Sequence, residues 1–235
     1  MPLSFRRLRF LLALILVLLL AAYSLSRLGY FEWPRDYDPL ALPDLDAAPN
    51  LLTPLKLKRI DSSVENCRAA FARAGKAVGI EPAQTATAKC VRQGTIKLAG
   101  LSTAKLRVEE TRCAIAARLF MWEYNAVQPA ARKYFNEPVT EILHFGSYSC
   151  RNIRGSSATS EHATANAFDI SGFRLHGGKL VTLKQEWQGN QPPAQFLREV
   201  RDGACDYFNL VLSPDYNADH HDHLHVDMGW YRGCN

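Results

Sequence analysis

The chain has 235 residues, close to half of them apolar and 22% charged, with a net charge of +5 at pH 7. That length accommodates one domain of ordinary size plus appendages, and the apolar share suffices for a proper core. The mild positive charge, without a Lys/Arg run or basic–aromatic interleaving, argues against a nucleic-acid partner.

Arg6, Arg7 and Arg9 precede an uncharged run from Phe10 to Tyr23 that is mostly Leu, Ile, Val and Ala. A basic flank before an apolar segment is an export pattern, with the positive end left in the cytoplasm. With Ser24-Leu25-Ser26 the run reaches the roughly 20 residues that span a bilayer. Ser24-Leu25-Ser26 is a weak cleavage site, so the reading is a cytoplasmic stretch at 1–9 and an uncleaved transmembrane anchor at 10–28. Cys67, Cys90, Cys113, Cys150, Cys205 and Cys234 form an even set outside the apolar run. Even number plus export implies disulfides, and the absence of C-x-x-C disfavours a zinc knuckle. Proximity along the chain suggests Cys67–Cys90, Cys113–Cys150 and Cys205–Cys234.

Residues 29–54 carry Pro34, Pro39, Pro43, Pro49 and Pro54 and read as a semi-extended linker. The remaining domain, 55–235, opens on a helix capped by Asp61-Ser62-Ser63 and running to Gly75. Thr95 to Leu98 reads as a short strand. Thr111 to Phe135 is the longest helix candidate, kinked or split at Pro129. Val139 to Phe145 and Phe168 to Phe173 read as strands, with a polar loop from Asn152 to Ser160 between them. Gly177-Gly178 turns the chain back into Leu180 to Leu183 as a hairpin. A helix over Gln195 to Tyr207 follows, then strands at Phe208 to Leu212 and Leu224 to Met228. The expectation is an α+β fold with helices packed on a small, mainly antiparallel sheet that carries a mononuclear metal site.

Chemistry concentrates near the end. The chain has 7 histidines, and His220, His221, His223 and His225 fall within six positions together with Asp222. Histidine is the commonest metal ligand and the side chain best placed for proton transfer near neutral pH. Earlier, His162 stands in a loop and Asp169 at the start of a strand, so a turn can bring both to one ion. His223-x-His225 on a strand puts two imidazoles on one face. Two histidines, one carboxylate and an open position make a catalytic rather than structural zinc arrangement. Ser160 reads as a cap, because no G-x-S-x-G elbow surrounds it. His144 and His176 read as structural.

Ser160-x-His162-x6-Asp169 followed by His223-x-His225 resembles the zinc peptidases that include D-alanyl-D-alanine carboxypeptidases, lysostaphin-type endopeptidases and penicillin-insensitive murein endopeptidases. Gly146 to Arg151, Ser160 to Ala163, Asn166 to Ile170, Tyr216-Asn217 and His223 to His225 resemble the bacterial extensin-like C-terminal domain family more closely. This likeness covers about Leu55 to Asn235. It implies zinc held by His162, Asp169 and His225, with His223 as base or transition-state stabiliser. Asp222 competes for the role of base, but strand alternation turns it away from His225 and favours His223. Arg151 takes a substrate carboxylate or oxyanion by the same resemblance, with Arg154 as a rival. Ala165 departs from the pattern, since peptidases of this group often have glycine there. The implied function is an exported zinc hydrolase of peptidoglycan amide bonds, held in the inner membrane with its domain in the periplasm. The alternative is a catalytically inactive, zinc-stabilised module that binds cell wall.

Overall fold

The computed structural model describes residues 5–235, which divide into two compact units at Ala41/Leu42. The first is dominated by helix α1, Phe5–Arg27, 23 residues of high hydropathy with no buried residue. At about 1.5 Å per residue it is long enough to cross a bilayer, a property that membrane anchors and signal sequences share. Beyond it the Trp33 N–H donates to Ser26 Oγ at 3.1 Å, and the Trp33 ring meets Tyr23 edge-on.

The second unit begins at Leu42, ahead of the linker's expected end. Leu45 is fully buried in its core, and Asp44 pairs with Arg73. Pro54 opens helix α2, Thr53–Asp61, rather than closing the linker. Proline suits the first helical turn because its missing N–H has no intrahelical role there. Helix α3, Val64–Arg73, starts at the expected cap: Ser63 Oγ accepts from Asn66 N–H.

Four strands follow: β1 (Gly79–Ile80), β2 (Gln84–Thr85), β3 (Val91–Arg92) and β4 (Thr95–Gly100). Next comes β5, Lys105–Arg112, which sequence reading left unassigned. Its signal was present, because Leu106 and Val108 are buried while Lys105 and Arg107 are exposed. The long helix then divides as Pro129 requires. Helix α4 (Cys113–Trp122) passes through a π turn at Glu123–Val127 into α5 (Gln128–Phe135). The Gln128 N–H reaches back five residues to Glu123 O, and this wider turn accommodates the proline ring. Buried Glu123 accepts from the N–H groups of Ser102 and Ala104 and from Gln128 Nε2, while Gln128 bonds both backbone groups of Val139. The helix is thereby tied to the start of β6.

Strands β6 (Val139–Gly146), β7 (Ala167–Leu175) and β8 (Leu180–Thr182), helices α6 (Leu183–Glu186) and α7 (Pro192–Ala204), then β9 (Leu210–Leu212), β10 (Leu224–Asp227) and β11 (Gly233–Cys234) complete the chain. The sheet order is β1-β4-β5-β6-β7-β10-β9-β11, with β8 also on β7. Pairing is antiparallel except at β5/β6 and β9/β11, so the α+β expectation holds with a mixed sheet. Trp122, Phe120, Phe168, Phe173 and Phe196 are among the largest fully buried side chains of the core.

The disulfides are Cys67–Cys113, Cys90–Cys150 and Cys205–Cys234. Only the last pair follows chain proximity. Cys67 lies on α3 and Cys113 opens α4, which packs against α3, so tertiary contact overrides closeness in sequence. Cys67–Cys113 closes a loop of 46 residues, and such a constraint on the unfolded chain is worth about 4 kcal/mol. Replacing both cysteines by serine should lower unfolding free energy by about that amount in a urea titration followed by circular dichroism. Peptide mapping without reduction should return these three pairs.

Candidate metal centre

β7 and β10 pair with His225 directly opposite Asp169 and Val226 opposite Phe168. Alternation sends Phe168, Ile170, Leu224 and Val226 into the core and puts Asp169, His225 and Asp227 on the other face. Side chains directly opposite in an antiparallel pair stand about 5 Å apart at Cβ, so register alone brings the carboxylate and imidazole together. His162 arrives from a short 3₁₀ helix, Glu161–Thr164. Ser160 caps it by accepting from His162 N–H, as expected for a turn residue. Ala165 ends it in the left-handed region at φ 54°. Its carbonyl accepts from Arg112 N–H at 2.9 Å and Ser147 Oγ at 3.2 Å.

Three atoms converge: His162 Nε2 lies 3.1 Å from both Asp169 Oδ1 and His225 Nδ1, and the last two are 3.0 Å apart. His162 and His225 are 3% and 9% exposed, and Asp169 is 9% exposed. Their hydrogen bonds decide what the convergence means. His162 Nδ1 is 2.8 Å from Ser147 O, a carbonyl that can only accept, so the proton sits on Nδ1. His225 Nε2 faces Asp227 Oδ2 at 3.1 Å, which places that ring's N–H on Nε2. When both rings are neutral, two lone pairs and a third from Asp169 aim at one point. Three such atoms at this spacing can share one cation. Tetrahedral ligands about 2.0–2.1 Å from zinc stand about 3.3 Å from one another, and the observed triangle is within a few tenths of an ångström of that. The donor set fits a divalent metal, and the carbonyl and carboxylate behind the two histidines are the orienting partners such ligands usually have.

Electrostatics agree. Burial alone would raise the Asp169 carboxyl, but the hydrogen bonds and charges of His162 and His225 hold it well below the usual carboxylate range. Burial would lower the His225 imidazole, yet Asp169 and Asp227 raise it to about 9. Without metal, one proton occupies the centre at neutral pH.

His223 stands beside the triad. Its Nδ1 is 2.9 Å from Asp222 Oδ1 and its Nε2 3.6 Å from Asp169 Oδ1. Asp222 thus holds His223, and the two rival bases form one unit. His220 donates Nδ1–H to Asn217 Oδ1 at 2.7 Å, and its ring centre is 5.2 Å from that of His223 and 5.8 Å from that of His225. Burial, then the neighbouring His225 and His223, lowers its pKa to about 4. Exposed His221 bonds Ala218 O.

Arg151 meets the site through its backbone, where its carbonyl accepts Ser160 N–H; its side chain is exposed. Arg154 pairs with Asp219 at 2.8 Å and clasps the polar loop to the histidine loop. His144 bonds Arg107 O and lies against Phe168, while His176 is exposed on the β7–β8 turn, so neither joins the triad. Glu161 binds Asn166 Nδ2 at 2.7 Å and packs so closely on Gly229 that a Cβ there would meet its Oε1 at 2.5 Å. Sequence reading missed Asp227, Ser147 and Asn217 as orienting groups. Asp227 was findable, two positions after His225 on the same strand face. Ser147 was not, because it acts through its carbonyl. Two concavities of about 450 Å³ lie elsewhere, one bordered by Asp61, Arg112 and Asn166 and the other by Lys105, Arg107 and His144.

The fold and site define a disulfide-linked α+β domain with a two-histidine, one-aspartate cluster on its sheet. The family model described as extensin-like protein C-terminus matches residues 65–235, and the chain belongs to that family. Comparison with curated proteins and with solved structures gives no match.

Metal affinity should depend on pH. The His225 proton stabilises the metal-free fold fully below the ordinary value of 6.5, and this contribution fades as pH rises through about 9. A cation must displace that proton, so affinity should weaken by up to about tenfold per pH unit on descending from the raised value. Zinc calorimetry at pH 8 and pH 6 should show this slope; equal affinities would contradict it. Asp227→Asn should weaken zinc binding by about 10- to 100-fold.

Proposed function

We propose that this protein is a zinc-dependent hydrolase of amide bonds in peptidoglycan peptides, as the sequence resemblance to zinc peptidases implies. The observation that carries the reading is the convergence of three lone pairs on one point with a carboxylate-held histidine beside it. Zinc held by His162, Asp169 and His225 would supply Lewis acidity and a water of lowered pKa.

The chain's own residues account for proton movement. Asp222 accepts from His223 Nδ1–H and so leaves Nε2, the atom nearer Asp169, free to take a proton. His223 takes that proton from the attacking water and returns it to the departing amine. His220 stays neutral and adds no charge to compete with the metal. Arg151, with an exposed side chain, is the proposed contact for a substrate carboxylate. The three disulfides and the apolar N-terminal helix support an exported domain on an inner-membrane anchor, facing the periplasm.

Digestion of purified sacculi by zinc-loaded protein tests this. His223→Ala should keep its zinc and lose about 10²- to 10⁴-fold in the rate of muropeptide release. His162→Ala should lose both metal and activity. Chelation should abolish release and added zinc restore it. Zinc-loaded protein that binds sacculi and releases nothing would refute the hydrolase reading in favour of a metal-stabilised wall-binding module.

A further inference from the structure

Two large aromatic side chains stand exposed against the histidines. Phe145 is 62% exposed with its ring centre 5.6 Å from that of His223; Tyr216 is 49% exposed and 5.6 Å from His220. Both contacts are steep, at 74° and 69° between ring planes, so these rings wall the imidazoles rather than extend them as a floor. With His223 and His220 in contact between them, the four rings form one chain of contacts, a row with an aromatic ring at each end. The row is no longer than about five residues of extended chain at about 3.3–3.6 Å each.

The fold fixes both walls. Register with β7 breaks between Leu143 and His144 and again between His144 and Gly146. Irregularities of this kind re-aim side chains and cluster beside functional sites. On the other side, the Tyr216 N–H donates to Ser213 O at 3.0 Å, and Asn217 caps the 3₁₀ turn Ala218–His220 by accepting from Asp219 N–H. Fully burying a large apolar side chain is worth about 1.5–3 kcal/mol, and a backbone already held in place has less freedom to lose when a ligand covers the rings.

We propose that Phe145 and Tyr216 are the end walls of a peptide-binding rim and grip apolar side chains on either side of the scissile amide. This rests on the hydrolase reading and deepens it by naming the occupant, an extended peptide lying along the ring row rather than a sugar stacked flat. Both residues are specificity-determining contacts, with no part in proton transfer.

The test uses zinc-loaded, full-length protein in detergent with two probes: muropeptides released from sacculi, and glycan strands stripped of peptide. Binding is measured in His223→Gln, which keeps a side chain of similar length beside Phe145 and does not consume the ligand. Adding Phe145→Ala or Tyr216→Ala should weaken muropeptide binding about tenfold, with zinc content and melting temperature unchanged. Tyr216→Phe should keep the affinity. In the protein with His223 intact, KM should rise and kcat hold. Unchanged muropeptide affinity, no muropeptide binding, or an equal loss for stripped glycan would overturn the proposal. The two readings fail separately. Cleavage with unaltered KM in the rim variants removes the rim alone. Binding lost in those variants of a protein that cleaves nothing removes the hydrolase alone.

Discussion

The register of β10 on β7 is the constraint on which the centre depends. One antiparallel pairing sets His225 against Asp169 while its alternate pairs, Val226 with Phe168 and Leu224 with Ile170, seal the core beneath. A slip of β10 by one residue would turn that strand over, sending His225 and Asp227 into the core and Leu224 and Val226 out. The apolar face therefore enforces the polar one. Neither histidine nor aspartate needs to select its own geometry, because burial of the neighbouring residues has already done so.

Around that pairing the protein has arranged protons rather than charges alone. Ser147 O and Asp227 Oδ2 each engage one imidazole nitrogen and turn the other toward the convergence, Nε2 of His162 and Nδ1 of His225. Opposite ring nitrogens face the same point because one ring approaches from a loop and the other rises from a strand. Asp222 does the same for His223, and Asn217 for His220. Four histidines thus each have one nitrogen committed to an oxygen. What each ring can hydrogen-bond separates the dense histidine run into one ring at the convergence, one held beside it by Asp222, a neutral neighbour and a solvated residue.

Much of this was legible in the sequence. His162, Asp169 and His225 are brought together as the motif spacing implied, while His223, expected on the same strand as His225, stands just ahead of that strand and 3.6 Å from Asp169. Strands at 139–145, 168–173 and 224–228 were recoverable from short runs rich in apolar and β-branched residues bounded by turn residues. The cysteine pairing was not, since Cys67 reaches Cys113 through helix packing that no local pattern encodes. Helix α2 was hidden by reading Pro54 as linker, when at the first turn of a helix proline is favoured. Arg151 was singled out for its side chain, yet the structure shows its backbone carbonyl at work on Ser160. Backbone groups are present at every residue, so sequence carries no mark of the ones that matter.

Ala165 shows how far tertiary structure can override local preference. Glycine is the residue expected there from sequence, and the backbone indeed adopts φ 54°, a region that costs an L-residue about 1–2 kcal/mol. The alanine keeps the turn nonetheless. Its carbonyl is held by Arg112 from the end of β5 and by Ser147, while the next residue, Asn166, is held by Glu161 through its side chain and by Met228 N–H through its carbonyl. These bonds come from four separate segments and determine the turn more firmly than its own torsional preference opposes it. The turn follows His162 and precedes the strand of Asp169, so it sets the distance between two of the three converging atoms. That the atoms still meet at 3.1 Å means the surrounding framework fixes this half of the centre, and a missing glycine does not undo it.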